Sequence, residues 1–453
     1  MSIAGTRGVQ LASAELHVTR KPEDPPPLLW GETGQAPSDR VRIRGGRPLS
    51  GRLRVSGAKN AAVALLPACL LARDGVSELA QVPDIVDVDV VVQILEQLGA
   101  TLDRAEGTVR VGAAGPIADE VPYDQAKRVR ASSLFLGALI ARNGRAVVPL
   151  PGGCDIGPRP IDLHLKGLAE LGAEVRVERG YVIAQARKLV GSEIYLDFPS
   201  VGATENLMMA ATAASGTTVI YNAAKEPEVV DLANFLVGMG ARVVGAGTDL
   251  VRIQGGLPLH ATSYTIIPDR IEAGTYLLAS LASRGEIVLE NVIPKHLESL
   301  LAKLEEAGVQ IEVGLDSLRA SLRRRPSAIS VKTLPYPGFP TDLQPQLSAF
   351  LLTAEGTSIV TERVFEDRFR HIDELKRMGA QIKTESRTAV IMGVPQLSGA
   401  PVTATDLRTG AALVIAGLSA TGETTVDGFR HVRRGYARMV EKLASLGADI
   451  RYD

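Results

Sequence analysis

The sequence predicts an α/β protein of two domains, each built from three copies of one repeat. Two kinds of observation lead to this prediction. A chain of 453 residues is longer than one hydrophobic core usually supports, which favours two domains. Two different glycine-marked patterns each recur six times along the chain. Six units divide naturally into two groups of three.

The first pattern is an amphipathic run, such as VDVVVQILEQ or IDELKRM, that ends in glycine and is followed by alternating residues. Successive copies are about 70 residues apart, as expected of a structural repeat. Each copy predicts a helix closed by a left-handed glycine and then a strand. The six glycines are Gly99, Gly172, Gly240, Gly308, Gly379 and Gly447.

The second pattern is a small-residue apolar helix that ends in glycine and precedes a strand. Its copies are LLARDGVSEL, LIARNGRAVV, TAASGTTVIY, LASRGEIVLE, LTAEGTSIVT and LSATGETTVD. Together the two patterns predict that each repeat runs strand, buried helix, strand, amphipathic helix, strand, strand.

The opening stretch VRIRGGRPLSGRLRV precedes the first unit and needs partner strands. We expect it to pair with the last three units, which makes one domain discontinuous. The predicted domains are 59–268, with repeats one to three, and 41–58 plus 269–453, with repeats four to six. Residues 1–40 are Pro-rich, and we expect them to form a disordered extension.

The charge balance and the cysteine content indicate which partners and which compartment to expect. Fifty basic residues against 51 acidic ones give a net charge of −1, which argues against general attraction to nucleic acid or to an anionic membrane. Two cysteines provide no disulfide framework, so a reducing compartment is expected. The apolar runs are shorter than a membrane span, and the first forty residues lack a signal-peptide core. We expect a cytoplasmic protein.

Polar residues gather at the predicted starts of the six buried helices. If the three helices of each domain pack about one axis, all six starts can face one cleft, where free N–H groups favour anions. The residues at these starts are Lys59, Arg130, Ser200, Asp269, Asp342 and Asp406.

Each position also has a purely structural interpretation. Asp269, Asp342 and Asp406 could be N-caps, and the segment around Ser200 could be a capping loop. A cation at a helix start opposes the helix dipole, so Lys59 and its counterpart Arg130 call for an anionic ligand or a nearby carboxylate. Further arginines near helix starts or in loops favour a substrate with several negative charges, and they are Arg159, Arg270, Arg368, Arg408 and Arg434.

The two cysteines stand in different surroundings. Cys69 lies in the apolar run AALLPACLLA and is expected to be buried, whereas Cys154 lies between glycines and prolines in VVPLPGGCDIGPRP. A thiol on a hinged loop near cations has a lowered pKa and can act as nucleophile or proton donor. The alternative is a loop thiol of no consequence. No Cys/His spacing resembles a metal site, and no phosphate-binding glycine motif precedes a helix, so we expect neither metal nor cofactor.

From about Val41 to Asp453 the chain resembles the UDP-N-acetylglucosamine 1-carboxyvinyltransferases, the enolpyruvyl transferases that open peptidoglycan precursor synthesis. The motifs that carry the resemblance are SGAKNAA, RAS, LPGGCDIGPRPIDLH, SVGAT, EPEVVDLANFL, PDRIEAGTY, FPTDLQ, FEDRF, ATDLR and RGYAR. The resemblance implies two inverse α/β domains with the active site in the cleft between them. It also implies transfer of the enolpyruvyl group of phosphoenolpyruvate to the 3-hydroxyl of UDP-N-acetylglucosamine, through a tetrahedral intermediate, with release of phosphate.

The same resemblance implies a role for each matching residue. Phosphoenolpyruvate or the intermediate would be held by Lys59, Asn60, Arg159 and Arg434. The nucleotide sugar would be held by Arg130, Arg159, Pro160, Ile161, Asp162, Leu163, Ser200, Val201, Val364 and Arg368. Asp342 would accept the hydroxyl proton, Cys154 would protonate the methylene carbon, and Asp406 and Arg408 would complete the charged floor. Cys154 would also form a covalent pyruvate adduct and react with the epoxide fosfomycin.

The chain departs from the family pattern at Phe198 and Pro199, where some members carry a basic residue, and at Arg433, where an acidic residue is common. Alternative functions are enolpyruvyl transfer to another acceptor, as in the shikimate pathway or nucleoside-antibiotic assembly, or a non-catalytic paralogue that binds UDP-N-acetylglucosamine. RNA terminal-phosphate cyclases have a related repeat unit, but the neutral charge balance does not favour them. The retention of Lys59, Cys154, Asp342 and Arg434 together argues against the non-catalytic paralogue.

Overall fold

The computed structural model describes residues 38–150 and 161–453. The strands in these ranges are, in chain order, β1 (Arg40–Arg44), β2 (Ser50–Arg54), β3 (Val76–Ala80), β4 (Thr101–Ala105), β5 (Thr108–Gly112), β6 (Arg145–Pro149), β7 (Glu174–Glu178), β8 (Tyr181–Gln185), β9 (Glu193–Tyr195), β10 (Thr217–Tyr221), β11 (Arg242–Val244), β12 (Leu250–Gln254), β13 (Ser263–Thr265), β14 (Glu286–Glu290), β15 (Gln310–Val313), β16 (Ser317–Ser321), β17 (Ser330–Lys332), β18 (Thr357–Thr361), β19 (Gln381–Glu385), β20 (Thr388–Met392), β21 (Pro401–Thr403), β22 (Glu423–Asp427) and β23 (Asp449–Tyr452).

The α-helices in the same ranges are α1 (Lys59–Ala68), α2 (Val86–Gln97), α3 (Tyr123–Ala126), α4 (Phe135–Asn143), α5 (Asp162–Glu170), α6 (Val201–Ala211), α7 (Pro227–Gly238), α8 (Arg270–Ala282), α9 (Glu298–Glu306), α10 (Gln344–Leu351), α11 (His371–Arg377), α12 (Leu407–Ser419), α13 (Arg430–Arg433) and α14 (Met439–Ser445). Short 3₁₀ turns occupy Cys69–Leu71, Arg130–Leu134, Pro294–Leu297 and Thr341–Leu343.

Six small sheets repeat one topology. In five of them an edge strand runs parallel to its neighbour and the remaining strands are antiparallel, in the orders β13-β3-β5-β4, β9-β10-β12-β11, β2-β14-β16-β15, β17-β18-β20-β19 and β21-β22-β1-β23. The sixth, β6-β8-β7, has a parallel bridge between Glu120 and Val147 in place of the parallel strand. The sixfold repeat predicted from the glycine spacing is confirmed.

The opening strands pair with the last three repeats, as predicted. Strand β1 lies between β22 and β23, and β2 runs parallel to β14. In the same way, β13, which follows the third repeat, runs parallel to β3 and completes the sheet of the first repeat. The chain therefore crosses between its two groups of repeats near residues 57 and 268, which form an isolated bridge with each other.

The start of the fold needs a small correction. The predicted extension ends at residue 40, but Arg40 already belongs to β1. The carbonyl of Asp39 accepts a hydrogen bond from the Phe429 N–H at 2.9 Å, and its carboxylate accepts one from the Arg430 N–H at 2.6 Å. Residues 38–40 thus belong to the folded part of the chain.

The glycines of the first pattern have the predicted left-handed backbone, with φ between 89° and 105° at all six. The second pattern is less regular. Helix α4 ends directly at Gly144, but at the fourth copy the left-handed residue is Arg284, one position before the glycine. Gly285 is required for a different reason, because a Cβ there would lie 1.9 Å from the Leu49 carbonyl oxygen.

The buried apolar residues form two separate cores. One extends from Ala58 to Ile266 with the addition of Ala437, and it contains Cys69, which is buried as predicted. The other combines Val41–Val55 with Ile271–Ile450. These cores support the predicted division into 59–268, the first half, and 41–58 plus 269–453, the second half, although the boundaries themselves stay a prediction. Within the described ranges no helix is long and apolar enough to cross a membrane.

Candidate active site

One cavity of about 680 Å³ is lined by residues from both halves of the chain. The starts of all six buried helices contribute to it, in agreement with the prediction. They bring Lys59 of α1, Arg130 of the turn before α4, Ser200 before α6, Asp342 of the turn before α10 and Asp406 before α12. At the fourth start the lining residue is Arg270 of α8, whereas the predicted Asp269 does not line the cavity and instead caps the helix. Six helix starts in one cavity suit it to anions, although Ser200, Asp269 and Asp406 each accept one or two of the N–H groups at their own helix start.

Every described residue to which the resemblance assigns a role lines this cavity. They are Lys59, Asn60, Arg130, Ile161, Asp162, Leu163, Ser200, Val201, Asp342, Val364, Arg368, Asp406, Arg408 and Arg434. Cys154, Arg159 and Pro160 lie outside the described residues, so their roles stay predictions.

At one end of the cavity Asp87 joins two cations from different halves. Its carboxylate accepts from Lys59 Nζ at 2.7 Å and from Arg434 Nε at 2.8 Å. Burial alone would raise the pKa of Asp87, but the two cations hold it below its ordinary value. Asp87 is the carboxylate that a lysine at the start of α1 requires, and it holds Lys59 and Arg434 side by side.

Asp342 lies between two arginines. Its carboxylate oxygens accept separate hydrogen bonds from Arg368 Nη2 and Arg408 Nη2, both at 2.7 Å. Arg408 also donates to the Tyr436 hydroxyl at 3.0 Å. Burial opposes the charge of Arg408, yet Asp342 and Tyr436 raise its pKa. Asp342, Arg368 and Arg408 therefore form a fixed charged unit, and the Asp342 carboxylate lines the cavity.

The three aspartates of the second half have different local roles. The carboxylates of Asp269 and Asp406 accept N–H groups in the first turns of α8 and α12, so both are N-caps. Asp342 makes no such cap. Hydrogen bonds from Thr409 lower the pKa of Asp406 against the effect of burial, so this site residue is also a structural one.

A buried carboxylate positions the loop of Val364. The Oε1 atom of Glu362 accepts from the backbone N–H groups of Val364 and Phe365 at 2.8 and 3.1 Å and from the Thr333 hydroxyl at 2.6 Å. The side chain of Glu362 is buried. This glutamate therefore fixes a loop of the second half that lines the cavity.

The cavity is also lined by Glu205, Glu226 and Glu228, which differ in how completely they are paired. Arg270 donates to both oxygens of Glu228 at 3.1 and 3.3 Å, across the two halves. Glu226 accepts only from the Tyr336 N–H, at 3.3 Å, and its Oε2 is buried without a partner in the described structure. Glu205 is buried as well, and its Oε1 has no hydrogen-bond partner there. Burial, followed by the neighbouring Glu228 and Glu226, raises the pKa of Glu205 well above its ordinary value.

Sequence reasoning missed Asp87 and Glu205, although each left a signal. Asp87 lies one helical turn before Val90 and Val91, on the buried face of α2. Glu205 interrupts the apolar run of α6. An acidic residue on an apolar helix face is rarely tolerated without a partner or a proton, so the position alone could have pointed to both. Within the described ranges, no group of three or more potential metal ligands is present.

The fold and cavity define an enolpyruvyl transferase, and comparison with known proteins agrees. Residues 43–443 match the family model of EPSP synthase (3-phosphoshikimate 1-carboxyvinyltransferase). The chain belongs to this family, and within it to the UDP-N-acetylglucosamine 1-carboxyvinyltransferases. It is 53% identical to UDP-N-acetylglucosamine 1-carboxyvinyltransferase 3 of Symbiobacterium thermophilum, over 91% of this chain and 98% of the relative. The corresponding protein of Halothermothrix orenii is 52% identical over 90% and 98%.

Solved structures show the same fold. The enolpyruvyl transferase NikO from Streptomyces tendae superposes with a TM-score of 0.82 at 29% identity, covering 91% of this chain and 98% of that one. EPSP synthase from Acinetobacter baumannii superposes with a TM-score of 0.72 at 18% identity, over 91% and 99% of the two chains, which supports the fold alone.

Proposed function

We propose that this protein transfers the enolpyruvyl group of phosphoenolpyruvate to the 3-hydroxyl of UDP-N-acetylglucosamine and releases phosphate, the first committed step of peptidoglycan precursor synthesis, in the cytoplasm. The observation that carries the proposal is Asp342, held by Arg368 and Arg408 in a cavity where Lys59 and Arg434 also meet. It supplies a fixed proton acceptor beside fixed cations.

Lys59, Asn60, Arg159 and Arg434 hold the phosphate and carboxylate of phosphoenolpyruvate. Asp87 holds Lys59 and Arg434 next to each other, so two cationic side chains from different halves reach the same end of the cavity. Cationic side chains suit the phosphate and carboxylate groups of the substrate. Arg130, Ser200, Val201 and the segment 159–163 hold the nucleotide, and Val364 and Arg368 line the sugar region.

The reaction proceeds by addition and then elimination. Cys154 gives a proton to the methylene carbon, C3, so C2 becomes electron-deficient and the sugar oxygen attacks it, while Asp342 takes the hydroxyl proton. In the second step C3 returns a proton to Cys154, the C2–O bond to phosphate breaks, and the proton held by Asp342 can leave with the phosphate. Each group therefore ends in its starting protonation state.

The two arginines around Asp342 explain why it serves as this acceptor. The two hydrogen bonds fix the orientation of its carboxylate, and because a carboxylate is a far weaker base than an alkoxide it cannot remove an alcohol proton in advance. Proton transfer therefore accompanies formation of the C–O bond. Asp406 and Arg408 complete the floor, Arg408 by holding Asp342 and Asp406 by capping α12.

A phosphate-release assay tests the proposed function. Mixing the protein with phosphoenolpyruvate and UDP-N-acetylglucosamine should release phosphate and give a product whose mass is that of the nucleotide sugar plus the enolpyruvyl group. Replacing the acceptor with 3-phosphoshikimate should give none. Phosphate release from phosphoenolpyruvate with 3-phosphoshikimate, but not with UDP-N-acetylglucosamine, would instead establish the other acceptor. If neither acceptor gave phosphate release, the alternative of a non-catalytic binding protein would be favoured.

The role of Cys154 is tested against Cys69. Cys154→Ser should be severely impaired because its hydroxyl is a far weaker acid, whereas Cys154→Asp should keep activity shifted to lower pH and resist the epoxide. Burial raises the pKa of Cys69 to about 12, so Cys69→Ser should leave epoxide labelling of the protein unchanged. Labelling at Cys69, or full activity of the Cys154→Ser variant, would contradict the assignment.

A further inference from the structure

Asn206 is a fully buried residue of α6 whose side-chain amide has a fixed orientation. Its Oδ1 accepts from the Gly137 N–H at 2.6 Å, and its Nδ2 donates to the Ser133 carbonyl at 2.8 Å. A backbone N–H can only donate and a carbonyl can only accept, so exchanging the two amide atoms would break both bonds.

The second N–H of the same Nδ2 is directed at His164 Nδ1, 2.7 Å away. An amide nitrogen can only donate, so Nδ1 must accept. A flipped imidazole would present a C–H at this position and lose the bond. The neutral His164 ring therefore carries its proton on Nε2.

The surroundings keep this ring neutral. His164 is 6% exposed, and burial, together with Arg130, lowers its pKa to about 4, against the opposing effect of Asp162 on the same helix. Helix α6 contributes the uncharged Asn206 and Gly202 to its contacts. The ring is thus a neutral donor throughout the physiological pH range.

The free nitrogen faces an anion-binding position. His164 lines the cavity, and its Nε2 has no hydrogen-bond partner in the described ranges. A Cβ added to Gly202 would lie 3.5 Å from Nε2, so this atom is beside the first turn of α6. The N–H groups of Val201 and Gly202 begin that turn, and Arg130 lines the same cavity. A buried donor, a helix start and an arginine together suit a phosphate oxygen.

We infer that His164 donates through Nε2–H to a phosphate oxygen of the nucleotide-sugar acceptor, and that Asn206 is the positioning residue that sets this tautomer. The inference rests on the proposed function for the identity of the ligand. The tautomer itself follows from the hydrogen bonds of Asn206.

Nuclear magnetic resonance of the whole protein labelled with ¹⁵N-histidine tests the tautomer without turnover. The chain has six histidines, so the His164 signal is assigned by its loss in His164→Phe. We expect a neutral ring protonated at Nε2 from pH 6 to 8, with a changed Nε2–H signal on saturation with UDP. A ring protonated at Nδ1, or a signal unaffected by saturating UDP, would overturn the inference.

Binding and kinetics separate a ligand contact from a structural role. His164→Phe keeps the ring volume but has no donor, so it should weaken UDP binding and raise KM for the nucleotide sugar by about tenfold with little change in kcat. His260→Phe, at an exposed histidine outside the cavity, is the matched control and should match the parent. An unchanged KM in His164→Phe would refute the contact.

Asn206→Asp tests the positioning role. A carboxylate cannot donate to Nδ1, so the ring proton moves to Nδ1 and Nε2 becomes an acceptor, unless the ring is doubly protonated. UDP affinity should then become pH-dependent, weaker at pH 8 than at pH 6, whereas the parent stays flat. Flat affinity in a folded variant would refute the role of Asn206. If UDP binds as predicted but no phosphate is released, the proposed function fails and the tautomer assignment stands.

Discussion

Two groups of acidic residues in the same cavity are neutralised in different ways. Asp87 and Asp342 each accept hydrogen bonds from two cationic side chains, whereas Glu205 and Glu226 each keep a buried oxygen without a partner in the described structure. Both groups lie on or beside helices whose starts reach the cavity. Burial therefore does not by itself decide which of these carboxylates is charged.

The difference lies in whether cationic side chains reach the carboxylate. Arg434 comes from the second half to Asp87 of the first, so the contact depends on the two halves being in place. Arg270 also crosses between the halves, but it pairs with Glu228, while Glu205 is buried near Glu228 and Glu226. Cationic partners favour the charged form of a carboxylate, whereas burial without a cationic partner favours the protonated form.

The largest expected effect comes from neutralising the reactive member of the paired group. Asp342→Asn keeps the shape of the side chain but cannot accept the hydroxyl proton, so kcat should fall by about 10²–10⁴-fold. Phosphate release measures it, with Asp373→Asn, an exposed aspartate of α11, as the matched control. Activity within a few-fold of the parent would remove Asp342 from the mechanism.

Neutralising the other paired carboxylate should act on stability as well as on activity. Asp87→Asn leaves Lys59 and Arg434 together without their shared counter-ion, which should lower the free energy of unfolding by about 3 kcal/mol. Urea denaturation measures the change. Asp103→Asn, in an exposed pair with Arg110, should cost less than about 1 kcal/mol. Equal costs would show that the Asp87 pairs are no stronger than surface ones.

The unpaired group should show the opposite behaviour on neutralisation. The folded protein keeps a proton on Glu205 that the unfolded chain loses above the ordinary glutamate pKa near 4.5, so this residue makes folding less favourable as pH rises through that window. Glu205→Gln removes the penalty, which grows by up to about 1.4 kcal/mol per pH unit. Urea unfolding of both proteins between pH 5.5 and 7.5 should give diverging free energies. Parallel curves would mean that Glu205 is ionised in the fold.

Glu226→Gln should show the same trend more weakly. Burial raises the pKa of Glu226, but the Tyr336 N–H bond favours its ionised form and limits the shift. The pH-dependent gain in unfolding free energy should therefore be smaller than for Glu205→Gln in the same titration. A larger gain at Glu226 would show that its pKa is raised more than that of Glu205.

The repeats and helix starts could be predicted because they depend on local pattern. Glycine recurs where a helix must end in a left-handed residue, and the residues preceding each apolar run mark a helix start, so Lys59, Arg130 and Ser200 were found by spacing alone. The resemblance then supplied roles for residues whose spacing is less informative, such as Val364.

Asp87 was not predicted because its significance is not local. Its partner Arg434 is 347 positions further along the chain, and nothing in the α2 segment indicates which side chain approaches it. The tautomer of His164 escaped prediction for a similar reason, since it depends on how Asn206 is held by Gly137 and Ser133 in another repeat. Periodicity reports which face of a helix is buried, but not what lies against it.

The ends of the fold are neighbours, since the Arg40 carbonyl accepts a hydrogen bond from the Asp453 N–H at 3.1 Å. The two segments of the second half, 41–58 and 269–453, therefore have neighbouring ends and could be joined directly. A circular permutant that begins at Asp269, joins Asp453 to Ser38 through a short linker and ends at Pro268 would make each half a continuous segment. The two halves would then be connected by a single covalent passage, between residues 58 and 59, instead of two.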